Sequence, residues 1–574
     1  MTRRHHSIRI ALLAASALAI SPALAADVTP ERLANPNREP QNWLMNHRSY
    51  DSQRFSPLAR INKDNVKNLK LAYAVAIGGT SANENLQATP LVEDGFMYLV
   101  DIWGIVYKID VRSGTTGRIV WRMDPKQERV PERGLSNRGV ALSGNFVISA
   151  ANFPPRIVAT NKDTGKIEWE TNVADGQDDL QITAAPLTVK DRIIVGAAGG
   201  DRGVRDWIAA LDAKTGKLIW LKHTIPAPGE PGSETWKDKN DSWRTGGGAV
   251  WVTGTYDPST HQTIWGIGNP VPMMDPAARP GDNLYTNSAV SYDPDTGKMN
   301  WYFQYTPGDH WDYDEAGTHI LIDGQINGEA RKLITHSARN GFLYTMERNN
   351  GQTLVVKPYL ENINWTKGID PKTGKPVEYV PNADLQVYAG TATPVPGSLT
   401  KKMCPSPSGG NNYWPSAYSQ KTKLLYVPAL TPCVQLTQDS SLSNKKGDWK
   451  GGGYKQNERY ETDFFAADPL TGEIKKRVHV PYPNYGGTLA TAGGVVFTGY
   501  TDGTLVAYDD TTLDQLWKIN VGVGFNAPPM TFEVDGKQYI GILSGLSRIA
   551  RSKHALIPEL KEQRNQMMLW VFAL

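Results

Sequence analysis

One pattern recurs along this chain and restricts its fold more than anything else. An apolar run ends in Asp or Asn, a Thr-Gly or Ser-Gly follows, and a polar–apolar run then closes on Trp. The clear instances are Asp110 to Trp121, Asn161 to Trp169, Asp212 to Trp220 and Asp293 to Trp301, and weaker ones begin at Asp257, Asp468 and Asp509. Asp bonds its own backbone, Gly takes the left-handed position and a second strand leaves the turn, so each instance reads as a hairpin. A Trp repeated at one strand position predicts docking between neighbouring sheets. The four clear Trp residues are 48, 51 and 81 residues apart, which leaves room for long inserts. Seven instances, plus a sheet assembled from the two ends of the chain, predict an all-β, eight-bladed β-propeller with long loops over one face. A closed ring has no free sheet edges, so residues 26–574 form one domain despite their length. A β-sandwich array is the competing reading.

The inserts at 222–245, 353–403 and 441–454 are polar or rich in Pro and Gly, and read as loops. Asn42 to Pro57 reads as a closing strand with its loop, Asn65 to Leu69 as a helical turn, and Lys553 to Gln566 as the least strand-like segment. Residues 1–25 stand apart. Arg3, Arg4 and Arg9 precede an apolar stretch from Ile10 to Ile20, and Ala23-Leu24-Ala25 fits a small-x-small cleavage site. This reads as a secretory signal peptide, which places the mature protein in the periplasm. Its three arginines account for the whole formal charge of +3. A near-neutral mature chain gives no reason to expect nucleic-acid binding. No later stretch is long and apolar enough to span a bilayer. In an oxidising compartment Cys404 and Cys433 are expected to pair. No Cys-x-x-Cys-His is present for covalent haem, and no Gly-x-Gly-x-x-Gly follows a strand for NAD.

Asp309-His310-Trp311-Asp312-Tyr313-Asp314-Glu315 carries four acids in seven residues. On extended backbone Asp312 and Asp314 share a side, where they suit a hard cation or a proton acceptor beside one. The plain alternative is a solvated loop. Gly199-Gly200-Asp201 and Gly268-Asn269-Pro270 offer further short oxygen ligands, each of which alone is an ordinary turn.

With Gln53 to Pro57, Asn137-Arg138-Gly139, Gly246 to Gly248 with Trp251, Pro280 to Asn283, Arg339-Asn340-Gly341 and Gly486-Gly487-Thr488, the chain resembles the quinoprotein alcohol dehydrogenases from Asn42 to about Ser547. These enzymes use pyrroloquinoline quinone (PQQ) and a metal ion in the axial funnel of an eight-bladed propeller. The resemblance implies an alcohol substrate, Asp312 as catalytic base and Arg339 on the quinone oxygens. It implies Asp201, Asn269, Asp312 and Asp314 around the metal, with calcium expected and a lanthanide ion the alternative. Trp251 would be the floor under PQQ, and Gln87, Arg138, Thr183, Gly199, Gly200 and Asn412 further cofactor contacts. Cys404 and Cys433 match a structural disulfide. The implied electron acceptor is external and of cytochrome c type, and a homodimer is compatible with the family. Three departures stand out. Glu132 and Arg133 occupy the place of a vicinal cysteine pair, Asp201 that of a glutamate, and Asp314 that of an aspartate found in lanthanide-using members. Gln87 replaces a usual Glu, and Tyr485 a common Trp. The altered roof predicts a wider, wetter mouth and a bulky primary or secondary alcohol. Two other classes compete: a periplasmic scaffold or assembly propeller, which needs no acidic cluster, and a glycoside hydrolase with paired carboxylates.

Overall fold

The computed structural model describes residues 26–78, 84–129, 136–390, 392–439, 441 and 451–574. The expected leader and the Glu132–Arg133 pair lie outside them. Eight sheets, each with four antiparallel strands and one of them with a fifth strand added, follow one another and form the predicted eight-bladed propeller. One blade illustrates the construction. Its innermost strand is Leu187–Val189, followed outward by Arg192–Gly196, Trp207–Asp212 and Leu218–His223.

The repeated motif is the turn between the third and outermost strands. Asp212 Oδ1 accepts from the Thr215 N–H at 2.8 Å and the Thr215 hydroxyl at 2.7 Å, while the Gly216 N–H donates to the Asp212 carbonyl at 2.9 Å. Asp293 repeats this with Thr296 and Gly297. Gly216 and Gly297 lie at φ +71° and +67°, where a side chain is strained.

These glycines have a second role. A Cβ on Gly165 would sit 2.8 Å from the Trp121 ring, one on Gly216 2.4 Å from Trp169, and one on Gly297 2.6 Å from Trp220. In these blades the outer Trp thus lies against the next blade's turn. The indole N–H of Trp121 donates to the Lys162 carbonyl, and that of Trp220 to the Pro294 carbonyl, both at 3.0 Å. A large aromatic buried this way contributes about 2–3 kcal/mol. Asp257 departs from the pattern: its turn joins the first and second strands of its blade, and Trp265 is a wholly buried residue of the second strand.

The two chain ends do build one blade, but the closing strand is Lys70–Gly78, paired antiparallel with Met567–Ala573. The expected closing strand at 42–57 is instead mostly loop, with Phe55–Ser56 added in parallel to Thr488–Thr491 as the fifth strand of its sheet. Val66–Asn68 forms the helical turn, and Lys553 to Gln566 contains no strand. The insert at 441–454 is less of a loop than expected: Gly451–Gln456 pairs with Val434–Asp439 as a hairpin. Thr353–Pro358, expected to be loop, is the outer strand of its blade. Among the described residues no helix is long and apolar enough to cross a membrane.

Candidate active site at the axial face

Antiparallel alternation divides the connections between two faces of the ring. Thr-Gly turns lie on one. Loops joining the second to the third strand of a blade, or one blade to the next, lie on the other. Every site residue expected from the sequence is in the second set. Gly199, Gly200, Asp201, Asn269 and Arg339 follow second strands; Gln87, Arg138, Thr183, Trp251, Asp312, Asp314 and Asn412 lie between blades.

The acidic stretch is not a solvated loop, because all seven residues from Asp309 to Glu315 are buried. Asp309 caps it, its carboxylate accepting from the Trp311 N–H at 3.1 Å and the Tyr313 N–H at 3.0 Å. Trp311 and Tyr313 anchor in the core, donating to the carbonyls of Ala392 and Pro405. Asp312 sits between them at φ +67°, a left-handed conformation costly for a non-glycine residue and common at functional sites. Its carbonyl accepts from Arg339 Nη1 at 2.8 Å, while its Oδ1 is buried without a partner.

Arg339 is the hub. Its Nη2 pairs with Asp314 Oδ2 at 2.9 Å. Its backbone N–H donates at 3.0 Å to Glu315, which also pairs with His336 at 3.0 Å. His336 stacks on His319 with centroids 4.1 Å apart, and His319 meets the Tyr305 hydroxyl at 2.9 Å. A Cβ on Gly409 would fall 1.9 Å from Arg339 Cγ, so the stem is fixed as well. Asp314 Oδ1 accepts from the Asn269 N–H at 2.7 Å. Both Asp314 oxygens therefore already have donors.

The carboxylates repel one another. Burial first, then the charges of Asp201 and Asp314, push Asp312 well above the usual carboxylate range, against the pull of Arg339. Burial and Asp314 raise Asp201 to about 6, although the Asn269 amide helps hold it ionised. Among the described residues no three His, Cys, Asp or Glu side chains suffice to hold a metal by themselves. A cation here would need the Asn269 amide and oxygens from a cofactor in addition.

Trp251 lies beside this cluster, with the Arg339 guanidinium 5.8 Å and the Arg138 guanidinium 4.5 Å from its ring. Arg138 Nη1 and the Thr183 hydroxyl both donate to the Trp251 carbonyl, at 3.2 and 3.3 Å. Tyr413 meets the indole edge-on at 5.8 Å and lies 4.6 Å from Arg138. Arg138 Nε, Arg339 Nε and Gln87 Oε1 are buried without partners. Two cations beside one aromatic face suit a flat, multiply anionic cofactor, and the carboxylates suit a hard ion, so these residues fit PQQ with a metal.

Other expectations meet different outcomes. Gln87 bonds Asn85 and Ser136, two residues from Arg138, and no contact joins it to Trp251. Asn412 spends its amide on the Ser408 carbonyl and its own loop, and the neighbouring Tyr413 is the residue that faces Arg138. Gly200 packs against the backbone of Gly247, and Gly199 against the Asp179 carbonyl. His310 is fully buried against Trp311 and Tyr388, its pKa pushed down to about 3 by burial. Cys404 and Cys433 form the disulfide, with Cα atoms 4.5 Å apart.

Sequence reasoning missed Tyr413, His336, Asp206 and Lys553. Lys553 is buried between the Tyr454 and Tyr460 rings, donates to the Tyr454 hydroxyl and feels the charge of Asp312. Burial lowers its pKa to about 7. Only Tyr413 had a signal, its place beside Asn412.

Comparison with known proteins agrees with this geometry. Residues 43–357 and 465–540 match the PQQ glucose/ethanol/alcohol dehydrogenase β-propeller domain. The chain is 34% identical over 590 residues to the quinoprotein alcohol dehydrogenase PedH of Pseudomonas putida, covering 98% of this chain and 96% of that protein. It is 36% identical over 543 residues to a quinohemoprotein alcohol dehydrogenase of Comamonas testosteroni, covering 89% and 73%. A europium-containing methanol dehydrogenase superposes with TM-score 0.86 at 29% identity, covering 95% of this chain and all of that one. By family model and by relatives matched over nearly its whole length, the chain belongs to the PQQ-dependent quinoprotein alcohol dehydrogenases.

Proposed function

We propose that the protein oxidises a primary or secondary, bulky alcohol to an aldehyde or ketone in the periplasm, with Asp312 as the base. The observation that carries this is the unpartnered, buried Asp312 Oδ1 beside the Arg339–Asp314 pair. When bound, PQQ would supply an electrophilic quinone carbonyl as the hydride acceptor, with a hard cation to polarise it. The protein does the rest. Trp251 gives a flat face, while Arg138 and Arg339 neutralise and orient an acidic cofactor.

Asp201 and the Asn269 amide would hold the cation together with Asp312, and Asp314 would add its charge while fixing Arg339. A cation there would offset the burial that raises the Asp312 pKa and leave Oδ1 able to draw the hydroxyl proton. Arg339, held by Glu315 and Asp314, stabilises negative charge growing on the acceptor oxygen. Electrons then leave to an external acceptor of cytochrome c type. Calcium and a lanthanide both satisfy this donor set.

Reconstitution tests the reading. Protein freed of PQQ and metal should be inactive and should recover alcohol-dependent dye reduction only with PQQ plus a metal salt. Activity with NAD and no PQQ would overturn it. In a substrate series, bulky and secondary alcohols should exceed methanol in kcat/KM; a methanol maximum refutes the substrate assignment.

A further inference from the structure

Asp206 is a buried carboxylate for which the chemistry above has no use. It precedes the strand Trp207–Asp212. Its N–H donates to the Gly247 carbonyl at 3.1 Å, and its carbonyl accepts from the Thr224 N–H at 3.0 Å and the Thr224 hydroxyl at 3.1 Å. Its backbone is therefore pinned on both sides. The side chain is wholly buried, and neither carboxylate oxygen has a hydrogen-bond partner of good geometry. A Cβ on Gly200 would lie 2.8 Å from Oδ2, so the carboxylate rests against the residue that precedes Asp201.

Its surroundings are hostile to an anion. Burial acts most strongly on it, followed by the charges of Asp201, Asp175 and Asp314, all disfavouring the ionised form, and a backbone hydrogen bond from Gly200 opposes them. An anion buried among like charges with so little hydrogen bonding is unfavourable unless a cation stands close. The neighbouring Asp201 is one methylene shorter than the glutamate it replaces, so the subsite has lost reach there.

We propose that Asp206 supplies a further part of the anionic charge that holds the metal ion beside Asp201, and that this charge biases the site toward a trivalent over a divalent ion. The inference rests on the PQQ-and-metal reading above. Removing one negative charge weakens attraction to a 3+ ion more than to a 2+ ion, in proportion to the ionic charge.

The test is a chelator-competition titration of PQQ-loaded protein with lanthanum and with calcium. Wild type is compared with Asp206→Asn, Asp206→Gly and Asp175→Asn, and folding is verified by circular dichroism. Asp206→Asn should lose lanthanum affinity on the order of tenfold or more and calcium affinity by less. Asp175 is exposed and its charge screened by solvent, so Asp175→Asn should change both affinities by less than Asp206→Asn does. If Asp206→Asn fails to fold, Asp206→Gly carries the same comparison. Lanthanum affinity of the folded variant within about threefold of wild type, or equal losses for the two ions, overturns the proposal. Wild-type protein that binds neither ion overturns the metal reading and this inference with it. Wild-type binding with unchanged Asp206→Asn affinity overturns the inference alone.

Discussion

The rim and the axial pocket of this propeller use polar groups in opposite ways. At the rim, every element of the Thr-Gly turn is satisfied locally: Asp212 meets Thr215, Gly216 closes back on Asp212, and the Trp of the preceding blade covers the glycine. In the pocket, Asp312 Oδ1, Arg138 Nε and both Asp206 oxygens are buried without partners. The rim turn closes on its own residues, whereas the pocket gathers like charges and leaves them uncompensated. Stability belongs to the first region and chemistry to the second, and substitutions should separate them.

The largest effect is expected at Asp312. Asp312→Asn keeps the shape of the side chain but cannot accept a proton, so kcat should fall about 10²–10⁴-fold when the variant is assayed with saturating PQQ and metal. Single-turnover kinetics with the cofactor content measured spectroscopically check this. A fully loaded variant near wild-type turnover would move the base elsewhere, with Asp314 the next candidate. The melting temperature should barely change.

The rim should behave in the reverse manner. Trp220→Ala removes a buried indole from the Gly297 turn and should cost about 3 kcal/mol of stability. Its kcat at a temperature well below unfolding should match wild type. Denaturant unfolding alongside steady-state assays tests both halves, and a loss of kcat without a loss of stability would break the division.

Arg138 lies between the regions in effect. Arg138→Met retains packing against Trp251 and Tyr413 but removes the charge, so PQQ affinity should drop about 10–100-fold. Titrating apo-protein with PQQ and following recovered activity reads this directly; unchanged affinity would remove Arg138 from the cofactor site.

The smallest effect is at an exposed ion pair. Asp463 and then Glu461 hold the His479 pKa above 6.5. A raised folded pKa means that the stabilisation is complete below the unfolded value and fades as pH rises through the folded one. His479→Gln should therefore lower the melting temperature slightly at acidic pH and not at alkaline pH. Equal melting temperatures at both would show that the pair contributes nothing to stability.

Much of the rim was legible because its interactions are local. Asp or Asn, Thr or Ser, and Gly within five residues dictate a turn, and the Trp eight positions after the first of them, or eleven after Asp110, marks the outer strand. Asp257 misled because a similar local spacing serves a different turn, and only strand pairing distinguishes the two. The closing strand was misplaced for the same reason: Lys70–Gly78 is recognised by its partner Met567–Ala573, about five hundred residues away.

The pocket was legible only in part. Asp312, Asp201, Asn269, Trp251 and Arg339 were named from short motifs in a fixed order, and the structure groups them. Asn412 was named where Tyr413 does the packing, since neighbouring positions share a motif but not a side-chain direction. By itself the sequence determined the blades, their turns, the docking tryptophans and the types of residue brought to one face. Tertiary structure alone decided that the acidic stretch is buried, that Arg339 rather than solvent answers Asp314, and that Asp206 and Lys553 join the same charge cluster. Charge–charge energies depend on distance and desolvation between residues remote in sequence, and neither quantity exists until the ring has closed.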